Sequence, residues 1–306
     1  MGASPVALVG TTASGKSSLA MALARTRPGV ELVSVDSMQV YRGMDIGTAK
    51  ASAAERSEVP HHGLDLVDPW QECTVAEFRD AVVRAVGDIE ARGRRALLVG
   101  GTGLYLQAVV DDLELPGRYP EARAEVEAEP DTAALHVRLA ALDPVAASRM
   151  EATNRRRIAR ALEVTLGSGQ PFSSFGPGVD AYPPTRFGLV GVRLPREIVD
   201  ARIAVRYADQ LDAGFLEEVQ RVWDDPRGVS QSAGQALGYK ELAAHLDGRC
   251  TLDEALDTAM ARTRRFARRQ ERWFRRDPRI AWIEPPDPHD PSSALDQLLA
   301  AWDAAA

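Results

Sequence analysis

The sequence predicts an α/β protein, a parallel β-sheet flanked by helices and interrupted by a helical insertion. Three observations predict it. An apolar run leads straight into a glycine-rich loop and then a helix at the N-terminus. Two further apolar runs, at 31–36 and 95–99, end in polar or glycine-rich segments. From about residue 114 the chain turns helical and charged, and an apolar run resumes at 187.

The first unit opens with Pro5-Val6-Ala7-Leu8-Val9, a buried strand, continues through Gly10-Thr11-Thr12-Ala13-Ser14-Gly15-Lys16-Ser17, and enters a helix at Ser18. The loop spacing is G-x-x-x-x-G-K-S. Gly10 and Gly15 permit the backbone angles that turn successive N–H groups onto phosphate oxygens, and Lys16 adds a point positive charge. Ser17 offers a hydroxyl to a magnesium ion on those oxygens, and the helix contributes its positive end. The bland alternative, a glycine turn that happens to carry a lysine, is disfavoured by the register between strand and helix. The sheet is therefore expected to be P-loop NTPase-like, with a diphosphate or triphosphate as ligand.

With 306 residues, 45% of them apolar, the chain can bury a full core. Cys73 and Cys250 form no pairing pattern, which points to a reducing cytoplasm rather than a disulfide or zinc framework. The N-terminus enters the loop strand almost at once, so no signal peptide is expected, and no apolar run approaches a membrane span. A net charge of −7 argues against nonspecific adhesion to polyanions, yet the arginines are unevenly placed.

Glu31 to Asp36 reads as the second strand, ending in a carboxylate that an open parallel sheet would place in the same crevice as the loop; the bland reading of Asp36 is a turn cap. Residues 47–60 are polar and small and read as a surface excursion. His61 and His62 are adjacent and point to opposite faces of a strand, so a structural role is expected rather than a shared metal. Thr74 caps a helix over Val75 to Ala91, with Glu77 completing a capping box. The strand Arg95 to Val99 ends in Gly100-Gly101-Thr102-Gly103, without the acidic residue that an ATPase carries there. Thr102 reads either as a hydroxyl facing a ligand or as a helix N-cap.

Residues 115–185 form the predicted helical insertion, between a first core segment at 1–114 and a second at 186–306. Within it Arg156, Arg157 and Arg160 share one side of a helix. Phe187 to Leu194 rejoins the sheet, and the helix from Pro195 to Ala213 bears Arg202 and Arg206. Near the C-terminus eight arginines fall between Arg262 and Arg276, interleaved with Phe266, Trp273 and Phe274; so concentrated a positive stripe favours contact with nucleic-acid phosphates over a merely solvated face.

Together the loop, the stretch from Val35-Asp36-Ser37-Met38-Gln39-Val40-Tyr41-Arg42-Gly43 to Lys50, Gly100 to Tyr105, Arg157 with Arg160 to Val164, Gln235 to Glu241 and the arginine-rich helix resemble the bacterial tRNA dimethylallyltransferase family along nearly the whole chain. Thr11 stands where the family often has Pro, and Asn154-Arg155 where Asp-Pro is common. The resemblance implies transfer of a dimethylallyl group from dimethylallyl diphosphate to the exocyclic N6 amine of the adenosine 3′ of the anticodon, with Mg2+ as cofactor, by a cytoplasmic monomer. It implies Asp36 as the base, Thr102 as a hydroxyl near the leaving group and Lys16 as a charge on the diphosphate, with Gly10 to Ser17 and Arg206 binding the donor. It also implies that Asp36, Ser37, Met38, Gln39 and Thr102 face the flipped base, and that Arg123, Arg156, Arg157 and Arg160 touch the tRNA anticodon stem-loop. The competing readings are a P-loop small-molecule kinase, which would not need the basic C-terminal helix, and a noncatalytic RNA-binding protein, which leaves Lys16, Ser17 and Asp36 unexplained.

Overall fold

The computed structural model describes residues 4–305. The chain begins with β1 (Val6–Gly10), α1 (Lys16–Thr26), β2 (Val30–Val35), α2 (Ala53–Glu58) and β3 (His61–His62), followed by α3 (Val75–Ala91), β4 (Arg95–Gly100) and α4 (Gly103–Val110). A second compact unit, Asp112–Pro183, then holds α5 (Pro120–Glu127), α6 (Thr132–Leu142), α7 (Pro144–Ser148) and α8 (Arg155–Ser168). The first unit, Met1–Asp111 with Pro184–Ala306, is completed by β5 (Gly188–Val192), α9 (Arg196–Asp212), α10 (Phe215–Trp223), α11 (Tyr239–Leu246), α12 (Leu252–Phe274), β6 (Ala281–Ile283) and α13 (Leu295–Ala304).

The strands form one six-stranded sheet in the order β3-β2-β4-β1-β5-β6, and every pairing is parallel. Period-two alternation divides each central strand between two buried faces. Ala7 and Val9 pack into one cluster with Phe78, Val82 and Val86 of α3, while Val6 and Leu8 pack into the other with Leu19 of α1 and Trp302 of α13. Strands covered on both faces have no polar side to show, which is why β1, β2 and β4 stand out as apolar runs. A fully parallel sheet also sends β1, β2, β4 and β5 out at one edge, where Gly10, Val35, Gly100 and Val192 end them. The phosphate loop, Asp36 and Thr102 all follow such ends.

Local signals explain the flanking elements. Thr74 and Glu77 form the predicted capping box, with the Glu77 amide donating to Thr74 Oγ1 at 3.2 Å and the Thr74 amide to Glu77 Oε2 at 2.8 Å. The stretch expected as a bare excursion contains α2, started by a second box between Ser52 and Glu55. With no buried residue, that short helix has no apolar stripe to announce it. The two histidines have separate structural partners: His61 Nδ1 lies 2.7 Å from the Val59 carbonyl, and His62 Nε2 lies 2.7 Å from Glu31 Oε2. Among the described residues no group of three or more His, Cys, Asp or Glu is arranged to hold a metal, and no helix is long and apolar enough to cross a membrane.

The second unit is all-helical, with a small core of its own that includes Val126, Leu135, Leu139, Ile158 and Leu162. Buried Asp143 ties its turns together, accepting from the Ala146 amide at 2.9 Å, the Ser173 amide at 2.7 Å and the Ser173 hydroxyl at 2.8 Å. Burial opposes the charge of this carboxylate, but those donors outweigh it and hold its pKa below the ordinary value. Asn154 caps α8 by accepting from the Arg157 amide at 3.3 Å, so the departure from Asp-Pro leaves the start of that helix intact.

In the first unit Arg279 fastens the segment after α12 to the end of α4, through Asp111 at 2.7 Å and Asp277 at 2.7 Å. The Asp111 side chain is 1% exposed, so its charge depends on that partner. Arg279→Ala is expected to lower the unfolding free energy by about 3 kcal/mol, a cost set by the stranded carboxylate. Urea unfolding of the purified variant measures it, and Asp111→Asn in the same background should recover part of the loss.

Candidate active site

The loop between β1 and α1 is shaped by two constraints at Gly15. Its φ is +81°, and a Cβ there would stand 2.4 Å from Cβ of Pro291. Ala13 also takes a left-handed φ of +61°, a strained angle for a residue with a side chain. This path leaves the amides of Ala13 and Gly15 donating to no group among the described residues, at the positive end of α1. Lys16 folds back over the loop instead, its Nζ donating to the Thr11 carbonyl at 2.5 Å and to Ser14 Oγ at 3.4 Å. Burial pulls the pKa of its ammonium down to about 8, assisted by Arg206 and opposed by Asp36. Ser17 lies exposed on the first turn of α1, its hydroxyl without a partner among the described residues.

Three side chains from distant elements hold the loop. Arg202 of α9 donates through Nε to the Ala13 carbonyl at 2.9 Å. Arg206, one turn further on, donates to Thr12 Oγ1 at 2.9 Å and to the Gly47 carbonyl at 3.1 Å. Burial depresses the pKa of this guanidinium. Gln270 of α12 accepts from the Thr12 amide at 2.8 Å and donates to the Gly101 carbonyl at 2.8 Å. It thereby clamps the loop after β1 to the loop after β4. The sequence analysis assigned Arg206 to the donor site but gave Gln270 and Arg202 no role. Gln270 had a signal: the buried face of α12 runs Ala255, Ala259, Thr263, Ala267, Gln270 and Phe274, and a buried amide on an apolar stripe requires partners.

Asp36 and Thr102 come together. The Asp36 carboxylate accepts from the Met38 amide at 2.8 Å, the turn-capping bond that was its bland reading, and makes no other hydrogen bond among the described residues. Its charge is felt at Lys16 and at Arg206. Thr102 occupies the N-cap position of α4 without capping it. Its hydroxyl accepts from the Ser37 amide at 3.2 Å and points at Ser37 Oγ, 3.4 Å away, so it faces β2 rather than its own helix. The resulting site carries a glycine loop with unengaged amides, the cations Lys16 and Arg206 on it, and the Asp36 carboxylate next in sequence to a Ser37–Thr102 hydroxyl pair, on three neighbouring strand ends.

Gln39, expected to read or hold a flipped base, has both ends of its amide engaged within the protein: Oε1 accepts from Ser34 Oγ at 2.7 Å, and Nε2 donates to the carbonyls of Thr48 and Ala49 at 3.1 Å each. It braces the loop after β2. Met38 beside it is half-buried and packs on the core.

Arg160 was expected to touch nucleic acid, yet within the second unit it donates to Glu163 at 2.5 Å and to the carbonyls of Pro116 and Gly117 at 2.8 and 3.0 Å. Arg123 pairs with Glu127 at 2.6 Å and reaches the same buried Glu163 at 3.7 Å. These two arginines frame the fold, because a buried glutamate needs counter-charge. Arg156 and Arg157, by contrast, are exposed and have no acidic partner among the described residues.

On α12 the arginines divide in the same way. Arg262 is paired with Glu241, and Arg275 lies 3.3 Å from Glu271, whereas Arg264, Arg265, Arg268, Arg269 and Arg272 pair with no carboxylate among the described residues. Burial and the neighbouring arginines Arg265, Arg272 and Arg262 together depress the pKa of Arg269, a direct sign of crowded positive charge.

The chain matches the family model described as IPP transferase over residues 39–277, and that described as isopentenyl transferase over residues 5–62. It is 46% identical to the tRNA dimethylallyltransferase of Nocardioides sp. strain JS614, over 97% of this chain and 96% of that one. It is 48% identical to the protein of the same description from Kineococcus radiotolerans, over 96% and 95% of the two chains. Among solved structures, the full-length tRNA isopentenylpyrophosphate transferase of Bacillus halodurans superposes with a TM-score of 0.70 at 36% identity, over 99% of this chain and 97% of that one. A eukaryotic dimethylallyltransferase acting on tRNA superposes with a TM-score of 0.76 at 25% identity, over 99% and 76%.

The loop geometry generates two expectations. Because free Lys16 titrates near 8, raising the pH through that value removes the ammonium and weakens anion binding, so a bound diphosphate must draw a proton back. Calorimetric titration of pyrophosphate at pH 8.5, roughly half a unit above that value, in buffers of different ionisation enthalpy should therefore show proton uptake that Lys16→Arg abolishes. Gln270→Ala leaves the Thr12 amide and the Gly101 carbonyl without partners, and should weaken pyrophosphate binding by about tenfold.

Proposed function

The chain belongs to the IPP transferase family, and from that membership we infer that it transfers a dimethylallyl group from dimethylallyl diphosphate to the exocyclic N6 amine of the adenosine 3′ of the anticodon in tRNA, releasing diphosphate. The observation that carries the reading is the end of β4. Where a phosphoryl-transfer enzyme needs a carboxylate for its metal or its water, this strand ends in glycines and a hydroxyl, and the acid whose charge reaches Lys16 and Arg206 is Asp36, which follows the neighbouring strand. Such a site suits a diphosphate as a leaving group, with a carboxylate beside it to accept a proton.

The reaction breaks the bond between the allylic carbon and the diphosphate oxygen and forms a bond from that carbon to N6. Negative charge grows on the departing oxygen, and Lys16, Arg206 and the amides of Ala13 and Gly15 receive it in this reading. The adenine amine becomes acidic only as it is alkylated, so its proton passes to Asp36 while the new bond forms. Thr102 and Ser37 lend hydroxyls beside that carboxylate and can hydrogen-bond the extracted base.

The donor set also fits magnesium. Ser17 offers a free hydroxyl next to the cradle, no cage of side chains is present among the described residues, and magnesium favours phosphate oxygens and water over such cages. When bound, the ion would act as a Lewis acid on the diphosphate, held on the protein side by Ser17. Arg156 and Arg157, with the unpaired arginines of α12, are the cations available to the phosphates of the anticodon stem-loop. We read the enzyme as a monomer, and as cytoplasmic, the latter supported by its two free cysteines; burial pushes the Cys73 thiol up to about 11, which keeps it inert.

Purified protein incubated with magnesium, dimethylallyl diphosphate and unmodified tRNA bearing adenosine 3′ of the anticodon should yield, on digestion, an adenosine heavier by one prenyl group. Asp36→Asn is expected to lower the single-turnover rate by about 10²- to 10⁴-fold while tRNA affinity is kept. No mass shift, with magnesium-dependent consumption of ATP in the presence of a small acceptor, would replace the transferase reading by the kinase one.

A further inference from the structure

Glu218 lies on the first turn of α10, is 1% exposed, and takes no part in the chemistry described above. A buried carboxylate is costly unless donors surround it, and here four converge on its two oxygens. Oε2 accepts from the amides of Asp45 and Ile46, each at 2.9 Å. Oε1 accepts from the Gly47 amide at 3.0 Å and from the Tyr239 hydroxyl at 2.6 Å. Burial and the Glu218 charge push the Tyr239 phenol far above its ordinary pKa, so it stays protonated and remains a donor. Among the described residues no lysine or arginine forms an ion pair with Glu218. Its partners are almost entirely three consecutive backbone amides.

A peptide unit is planar, so fixing an N–H fixes the carbonyl opposite it. With the Gly47 amide held on Glu218, the Ile46 carbonyl points away and accepts from Gln210 Nε2 at 2.6 Å. The next carbonyl, that of Gly47, accepts from the same Gln210 nitrogen at 3.1 Å and from Arg206 Nη2 at 3.1 Å. Arg206 then extends its other nitrogen to Thr12 in the phosphate loop. Only glycine fits position 47, where a Cβ would lie 2.2 Å from the Phe215 ring and 2.4 Å from the Tyr239 ring. The loop is thus pressed against a pair of touching aromatic rings and pinned by one carboxylate, with the Gly47 carbonyl turned to Arg206.

We propose that Glu218 is a positioning residue for the donor's diphosphate: it holds the backbone of Asp45–Gly47 so that the Gly47 carbonyl keeps the Arg206 guanidinium against the phosphate loop. The proposal rests on the reading that this loop and Arg206 hold a diphosphate. An apolar side chain would seat α10 as well as Glu218 does, but would leave three amides unbound and the carbonyl edge free to turn.

The test is a double-mutant cycle read by calorimetric binding of inorganic pyrophosphate with magnesium, with dimethylallyl transfer to tRNA followed in parallel. Glu218→Gln, which presents an N–H₂ to amides that need an acceptor, should weaken pyrophosphate by about tenfold and leave tRNA affinity unchanged. Arg206→Ala should weaken it more, and adding Glu218→Gln to Arg206→Ala should cost almost nothing further, because Glu218 acts through Arg206. Losses that add in the double variant, or a Glu218→Gln protein with wild-type pyrophosphate affinity, would overturn the proposal. If Glu218→Gln does not fold, Tyr239→Phe keeps the ring and removes one donor; about a threefold weakening is expected, and no change overturns the proposal. Wild-type protein that binds pyrophosphate but transfers no prenyl group would refute the functional reading alone, and the cycle would still decide the role of Glu218.

Discussion

A loop that presents its backbone to a phosphate cannot spend those same groups on holding itself together. The segment from Gly10 to Ser17 therefore depends on side chains from far along the chain. Gln270 grips the Thr12 amide, Arg206 its hydroxyl, and Arg202 the Ala13 carbonyl. These residues sit on α9 and α12; α12 packs on β1, and α9 packs on α12. The core and the site are consequently one construction: the apolar faces of two helices fix where three polar side chains stand, and those side chains fix the path of the loop.

The same dependence explains what could be read from the sequence. Strands buried on both faces, capping boxes and the G-x-x-x-x-G-K-S spacing are local signals, and each appeared where it was expected, from β1 through α3 to β5. Asp36 and Thr102 were legible because each directly follows a strand end, so the sheet alone brings them together. The partners of Gln39 were not legible, because Ser34 and the carbonyls of Thr48 and Ala49 reach it only through the return path of an irregular loop that no periodicity describes. Those of Arg160 were hidden for a related reason: a run of arginines on a helix looks uniform, and only the fold reveals that buried Glu163 pairs with one of them. Glu218 lay wholly outside the reach of pattern, since nothing in its helix foretells a pocket lined by backbone amides.

The arginine-rich helix α12 shows how one element serves two surroundings. Its inward side is mostly alanine, threonine and Gln270, small enough for a close approach to the sheet loops, while its outward arginines repel one another. That repulsion is a standing cost in the free protein, and it is relieved only when negative charge arrives. Such a stripe is stable because the inward packing outweighs it, and it is useful because it remains uncompensated.

The grips on the phosphate loop are aimed mainly at backbone atoms, and this has a consequence for inheritance. Gln270 holds an amide and a carbonyl, Lys16 rests on the Thr11 carbonyl, Arg202 takes the Ala13 carbonyl, and Glu218 gathers three amides. A carbonyl is the same whichever residue supplies it, so Thr11 and the proline often found in its place present Lys16 with the same oxygen. Substitutions can therefore drift through the residues that are held without disturbing the hold, while the residues that do the holding have no such freedom. In a lineage of this architecture, variation and constraint fall on opposite partners of the same bond.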